Sequence, residues 1–482
     1  MSNLSDLLPS GGGQNIVDFT ASGTVASGKP VALNSNGTVS QVAGVTESLG
    51  SAQTVVADSL EANSVVYDST NNRVVRATRN GSQSDAGYAY VSTVSGSTIS
   101  SGTGVQFESG NTSAISTAFD STNNKVLIVY KDGGDSSKGK AVVGTVDPSD
   151  NSISFGSIAQ FESNGISDTA VSFNTSAGKF LITYRQSSGG DKGKAVVASI
   201  SGTSVSYGSV VEFLAGDLRS PTSVYDSTAE KHVVAYKDNL NSGYGTAVVG
   251  TISGTSVSFG TPAVSESAST EEIGAAYDST NNKHVICYKD QGNSNYSTAV
   301  VGTVSGTSIS FGTAVVYDDT GESGDNLPTF DTSAGKTVIQ YSAGSNIKYI
   351  VGTVSGTTIS FDSAVTLSGF LSGQTGVTYD STAEKVIFAY RGTSSPFGLA
   401  RTLQLASSNV SDFIGLADAA ISNTATGKIN VKGSINSKQS SLTIGSDYYV
   451  QSDGSVSTTS TSPAVKIGQA VTATTINMMD LT

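Results

Sequence analysis

A chain of 482 residues has room for two or three ordinary domains, or for one large β fold with small additions. Only 13% of the residues are charged and 54 are Gly, and the 37% that are hydrophobic sit in periodic runs, which excludes a disordered chain. The net charge of −13 argues against nucleic acid and against anionic membrane surfaces as partners, because both select a basic stripe.

The single cysteine, Cys287, excludes an internal disulfide, so the fold needs no oxidising compartment. The opening MSNLSDLLPSGGGQN has neither the basic region nor the apolar run of a secretion signal. No stretch approaches the ~20 apolar residues of a membrane span. The expectation is a protein without membrane insertion that leaves its cell by lysis or by a signal-free route.

In chain order, residues 1–43 read as a Gly-rich arm followed by a short β segment with turns at Ser27-Gly28 and Asn36-Gly37. Residues 44–406 carry a repeat. An aromatic residue followed by Asp or Asn recurs seven times, at Tyr67, Phe119, Phe173, Tyr225, Tyr277, Phe330 and Tyr379, with spacings of 52, 54, 52, 52, 53 and 49 residues. After each comes a turn such as DSTNNK, an alternating run such as HVICYKD, a loop, and a hairpin such as TAVVGTVSGTSISFG. The runs are too short for helices and are rich in β-branched residues, so each unit predicts four strands, A to D.

Four strands per unit, repeated seven times, predict an all-β, seven-bladed β-propeller. The seventh unit lacks a hairpin partner for its strand C, while Thr46–Ala52 stands before the first strand A as a spare strand D. An amino-terminal strand is therefore expected to close the ring and protect its edges. Residues 407–482 form a β-rich anchoring module with turns near Thr426-Gly427, Ile444-Gly445 and Asp453-Gly454, and the two flanks are expected to pair into one small domain.

Comparing the units with one another, the A–B turns and the C–D turns are nearly uniform. The B–C and D–A loops, which share the opposite rim, differ from unit to unit, and variable loops on a rigid scaffold are where binding sits. Tyr244 and Tyr296 occupy equivalent B–C positions and Phe397 lies in the loop of the seventh unit, an arrangement suited to stacking on sugar faces. A basic residue ends strand B in six units, and Lys237, Lys289 and Arg391 are candidates for holding an anionic group. The bland alternative pairs these cations with the Asp that follows several of them.

The two histidines, His232 and His284, lie at equivalent strand-B positions and read as packing residues; the recurring Asp reads as a turn device. No Ser/His/Asp arrangement, HExxH motif or Cys/His cluster is present, so no enzyme activity, metal or cofactor is expected. The acids Glu271, Glu272, Asp318, Asp319 and Glu322 crowd two D–A loops and keep a glycosidase open as an alternative.

The wording of the repeat, YDSTNNKHVICYKDQGNSNYSTAVVGTVSGTSISFGT, resembles repeats in structural and tail-fibre-like virion proteins of marine phages, especially those of cyanobacteria. The opening MSNLSDLLPSGGGQN and the closing SLTIGSDYYVQSDGSVSTT are similar to end modules of such proteins. The resemblance implies a non-enzymatic virion component made in the host cytoplasm. It would be a tail-fibre or spike-like adhesin contacting host surface glycans, or else a capsid decoration or head-fibre protein. In both cases the flanks would contact other virion proteins, and a homotrimer stays open because fibres and decorations are commonly trimeric.

Overall fold

The computed structural model describes residues 15–34, 36–58, 60–321, 324–369, 375–392, 398–460 and 463–478. Among these, regular structure is antiparallel strand with a few single-turn 3₁₀ segments. The chain divides into two compact units, residues 49–403 and residues 1–48 with 404–482.

In the larger unit the strands of each repeat are hydrogen-bonded in the antiparallel order A-B-C-D, and in two places strand D runs on into strand A of the next repeat, as Ala159–Asn174 and Ala263–Asp278. In the fourth repeat these strands are Leu218–Asp226, Lys231–Asp238, Tyr244–Ser253 and Ser256–Phe259. Strand D differs from the expected single strand. It pairs with the carboxy-terminal half of strand C, breaks after a Gly, and then pairs with the other half, as Ser204–Tyr207 and Val211–Leu214 do on Lys192–Ser201. For the seventh repeat, Gln53–Val56 pairs antiparallel with Gly398–Ala400, and the Gly50 amide donates to the Thr402 carbonyl at 2.8 Å.

Strands B are continuous apolar runs because they are buried on both faces. In Lys283–Asp290 and Lys125–Asp132 the five residues after the first are all buried. Apolar side chains of adjacent sheets interlock to form the core. Leu127, Val129 and Val143 of the second repeat pack with Phe180, Ile182 and Tyr184 of the third. Tyr67, Val74 and Ile99 of the first repeat pack in the same way with Ile387 and Ala400 of the seventh.

The A–B turns are tied by their first residue. Asp278 is 1% exposed, and its Oδ1 accepts from the Thr280 and Asn281 amides at 3.0 and 2.9 Å. Six of the repeats carry this Asp, which explains its recurrence as a turn device. The turns are also linked sideways. The hydroxyl of Thr70 donates to Asn124 Oδ1 at 2.7 Å, Thr228 to Asn282 at 2.8 Å, and Thr382 of the seventh repeat to Asn72 of the first at 2.8 Å.

A second seam lies at the break in strand D. Gly102, Gly156, Gly208, Gly260 and Gly312 each abut the C–D turn of the following repeat so closely that a Cβ would meet its backbone oxygen, that of Asn151, Thr203, Thr255, Thr307 and Thr357 in turn. The sixth repeat carries Asp362 here, and the repeat after it has no C–D turn of its own because the chain leaves after Gln404. Gly260→Ala should therefore lower stability by about 1–3 kcal/mol, read by denaturant unfolding, because the turn at Thr307 is backbone and cannot yield cheaply.

In the smaller unit the amino-terminal strands Ile16–Thr20, Pro30–Leu33 and Val39–Gln41 share one sheet with the carboxy-terminal strands Phe413–Ala417 and Thr426–Val431. A second sheet holds Asp447–Gln451 and Ala464–Thr472. Phe413, Leu416, Tyr448, Val450 and Ile467 pack into a common core. Thr426-Gly427, near which a turn is expected, is itself strand: Gly427 pairs with Phe19, and its missing side chain leaves room for Ile421. The reversal lies earlier, where Thr424 takes a φ of 64°.

Candidate functional site

The rim carrying the B–C and D–A loops is organised by a device that recurs beneath it. Tyr130, Tyr184, Tyr288 and Tyr341, all buried on strand B, each donate a hydroxyl hydrogen bond to a carboxylate ending strand D. The acceptors are Glu108, Glu162, Glu266 and Asp318, at 3.1, 3.0, 2.9 and 2.9 Å. An aromatic ring of strand D lies against several of these tyrosines, as Phe161 does on Tyr184 with centroids 5.2 Å apart. Burial, with the neighbouring carboxylate adding to it, raises the pKa of Tyr288, so this hydroxyl stays a donor. Burial alone would raise Asp318 too, but bonds from Thr320, Lys348 and Tyr341 hold it below the usual carboxylate range. The signal was present in the sequence as a Tyr standing 22 residues after an acid in three repeats, and 23 in a fourth.

The expected site residues fall into separate groups. Tyr244 and Tyr296 open strand C in adjacent repeats, each half-buried, and neither hydroxyl has a partner among the described residues. Lys237 and Lys289 converge on one carboxylate, Glu271, at 3.5 and 3.7 Å, and Lys237, only 8% exposed, also reaches Gln291 at 3.3 Å. Arg391 lies on a different stretch of the rim, where Glu61 bridges it at 3.1 Å and also pairs with Arg79. Phe397 and Glu322 lie outside the described residues.

The cations thus pair with carboxylates at the start of strand A. The Asp residues that follow strand-B cations have another task. Asp132, Asp238 and Asp290 each accept two amide bonds from their own B–C loop, such as Gly292 and Asn293 to Asp290 at 3.0 and 3.1 Å. This corrects the expectation that neighbouring cations and Asp residues pair. Of the crowded acids, Glu271 is ion-paired, and Asp318 takes Tyr341 and Lys348.

Strands A of all seven repeats contribute to one cavity of about 250 Å³, lined by small and apolar residues such as Val65, Ile115, Ala170, Ile273 and Val377. Above it, at the B–C/D–A end, a second cavity of about 250 Å³ includes Asp168, Glu272 and Asp325 in its wall. Arg185 lies 2.7 Å from Asp168. No group of three His, Cys, Asp or Glu side chains among the described residues is arranged to hold a metal ion.

The tyrosine device makes a paired prediction. Tyr288→Phe should cost about 1–2 kcal/mol, because it removes a hydrogen bond to a carboxylate. Tyr236→Phe should be close to neutral, because Leu214 replaces the acid there and the Tyr236 hydroxyl has no partner among the described residues. Equal effects in urea unfolding would refute the role given to the carboxylate.

No known family profile matches the chain, and no curated protein does. Solved structures do resemble it. One is the BP39L lectin of Burkholderia pseudomallei, at TM-score 0.53 and 9% identity, covering 77% of this chain and 98% of the lectin. Another is the β-propeller domain of Cps50 (Swd1) from Myceliophteria thermophila, at TM-score 0.45 and 8% identity, covering 70% of this chain and 96% of that domain. With its succession of antiparallel A-B-C-D repeats, the larger unit is an all-β fold of the β-propeller kind.

Proposed function

We propose that this chain is a non-enzymatic recognition protein of a phage particle, a closed seven-bladed propeller that presents its B–C/D–A rim to host surface glycans. The observation that carries the reading is the contrast between the two rims. On one, the polar groups of the A–B turns are engaged within and between repeats, and the sequence barely changes. On the other, loops differ from repeat to repeat and expose half-buried rings at Tyr244 and Tyr296.

Closure is supported by three features of the first and last repeats. Strand C of the seventh repeat pairs with Gln53–Val56. The bond from Thr382 to Asn72 has the same form as the bonds between consecutive repeats. All seven strands A line one cavity. Seven repeats so joined leave only short sheet edges, the broken strand D of each repeat.

The lectin likeness is a precedent for such a scaffold in sugar binding, but at 9% identity it extends to the fold alone. The ion pairs of Lys237 and Lys289 with Glu271 favour a neutral sugar face on Tyr244 and Tyr296 over a strongly anionic one. The phage assignment rests on the repeat wording and on the end modules. Under it, the smaller unit would dock the protein to the particle.

Two measurements test the reading. Gold-labelled antibody against the larger unit should decorate particles in the lysate. Label over tail or fibres supports an adhesin, label over the head makes this a decoration protein, and unlabelled particles would sink the virion assignment. On a glycan array, Tyr244→Ala/Tyr296→Ala should weaken binding about tenfold to 100-fold, taking about 1 kcal/mol for each ring. Unchanged binding would move the site away from these residues.

A further inference from the structure

The two histidines are the only ones in the chain, and both stand at the second residue of strand B, in the fourth and fifth repeats. Other repeats place Val74, Val126, Phe180, Thr337 and Val386 there. The position is an apolar slot between neighbouring sheets, and both imidazoles are 0% exposed.

Their polar surroundings differ. His232 Nδ1 lies 2.8 Å from Ser172 Oγ of the third repeat, which in turn lies 2.6 Å from Ser223 Oγ. For His284 the residue equivalent to Ser172 is Val224, and neither ring nitrogen has a hydrogen bond among the described residues. Its nearest charge is Asp226 Oδ2 of the fourth repeat, at 3.7 Å. That oxygen lacks the side-chain amide that Asn71, Asn123 and Asn281 give the equivalent Asp in three other repeats, because Ala229 stands there.

We infer that the two seams of the fourth repeat, with the third through His232 and with the fifth through His284, are built to loosen in acid. A protonated imidazole needs acceptors or water, and these slots offer a hydroxyl pair on one side and one carboxylate oxygen beyond hydrogen-bond reach on the other. Facing His284 are Tyr277, with its ring centroid 5.2 Å away, and Asp226; Lys283 flanks it on its own strand. Facing His232 is Tyr225 at 5.2 Å, with Lys231 alongside, and the third repeat has Asn174 where the fourth has Asp226.

Burial holds His232 down to about 3, and it holds His284 down to about 4, with Asp226 offsetting part of the cost. An unfolded or opened histidine titrates near 6.5. The sign follows: stability present above about pH 6.5 is lost as pH falls toward 4, because the opened form takes up protons that the closed form refuses. Well below pH 6.5, each histidine favours opening about tenfold more per pH unit.

His232→Val/His284→Val, which installs a residue the chain already uses in three equivalent slots, is the test. Between pH 6 and pH 5, the unfolding constant of the wild type should rise about 50- to 100-fold more than that of the variant. Amide exchange, corrected for its intrinsic pH dependence, should rise first along strands A and B of the fourth and fifth repeats. Equal pH dependence in the two proteins, or acceleration spread evenly over all repeats, would overturn the inference. Should the variant not fold, NMR of the two wild-type imidazoles decides: both staying neutral down to about pH 4.5 supports it, and either titrating near 6.5 in the folded protein refutes it.

Discussion

A sheet whose inner strands are apolar on both faces cannot stand in water by itself. In each repeat strands B and C bury their central residues, and the cover comes from the sheets on either side. Each buried Val, Leu or Ile contributes about 1.5–3 kcal/mol only while its neighbour is in place. The requirement passes from repeat to repeat, and in the proposed closed ring it is met at the ends where the first and last sheets cover one another. Tyr67, Val74 and Ile99 against Ile387 and Ala400 is that contact, built of the same residue types as the internal seams. The spare amino-terminal strand then has a physical cause: it gives the seventh sheet a fourth strand and joins the two ends of the repeat array by backbone hydrogen bonds.

Polar groups follow from the same packing. Apolar sheets pressed face to face leave their strand ends as the places where backbone and side-chain polarity must be satisfied. At one end the Asp of the A–B turn takes up two amides and the turn hydroxyls reach sideways. At the other, strand-B tyrosines donate to strand-D carboxylates, and the cations that follow them meet carboxylates of strand A, some from the adjacent repeat. The Asp bonds of the first set tie residues two or three apart, so the turn sequence is nearly fixed. The second joins residues far apart in the chain, so the loops between them are free to differ.

That difference decides what could be read without coordinates. The repeat period, the strand pattern and the Asp turn are local and were legible. So was the spare strand, because a gap and a surplus in a periodic pattern point to each other. The partners of Lys237, Lys289 and Arg391 were not, since Glu271 and Glu61 belong to other strands and, for Arg391, lie 330 residues away. The break in strand D was signalled by its Gly but reads like an ordinary turn. The turn near Thr426-Gly427 was legible but not its place, because Gly marks a turn and also a close approach of another side chain, and only the fold tells which.

The two seams of the fourth repeat differ from the others in what fills them. Imidazoles fill the apolar slots on both of its seams, Leu214 of the third repeat stands under Tyr236 where four other strand-B tyrosines meet an acid, and Asp226, like Asp331 and Asp380, has Ala rather than Asn in its turn. The B–C loop of the fourth repeat also bears Leu240, 64% exposed, and Tyr244. Each departure leaves a polar group less well served or an apolar one in water. A repeat array with five sound copies of the same slot had Val or Phe or Thr available for it. Both imidazoles stand at the A–B turn end of strand B, at the opposite end of the strand from the B–C loop, so the demand that outweighs packing in these slots belongs to the seams and not to the loop.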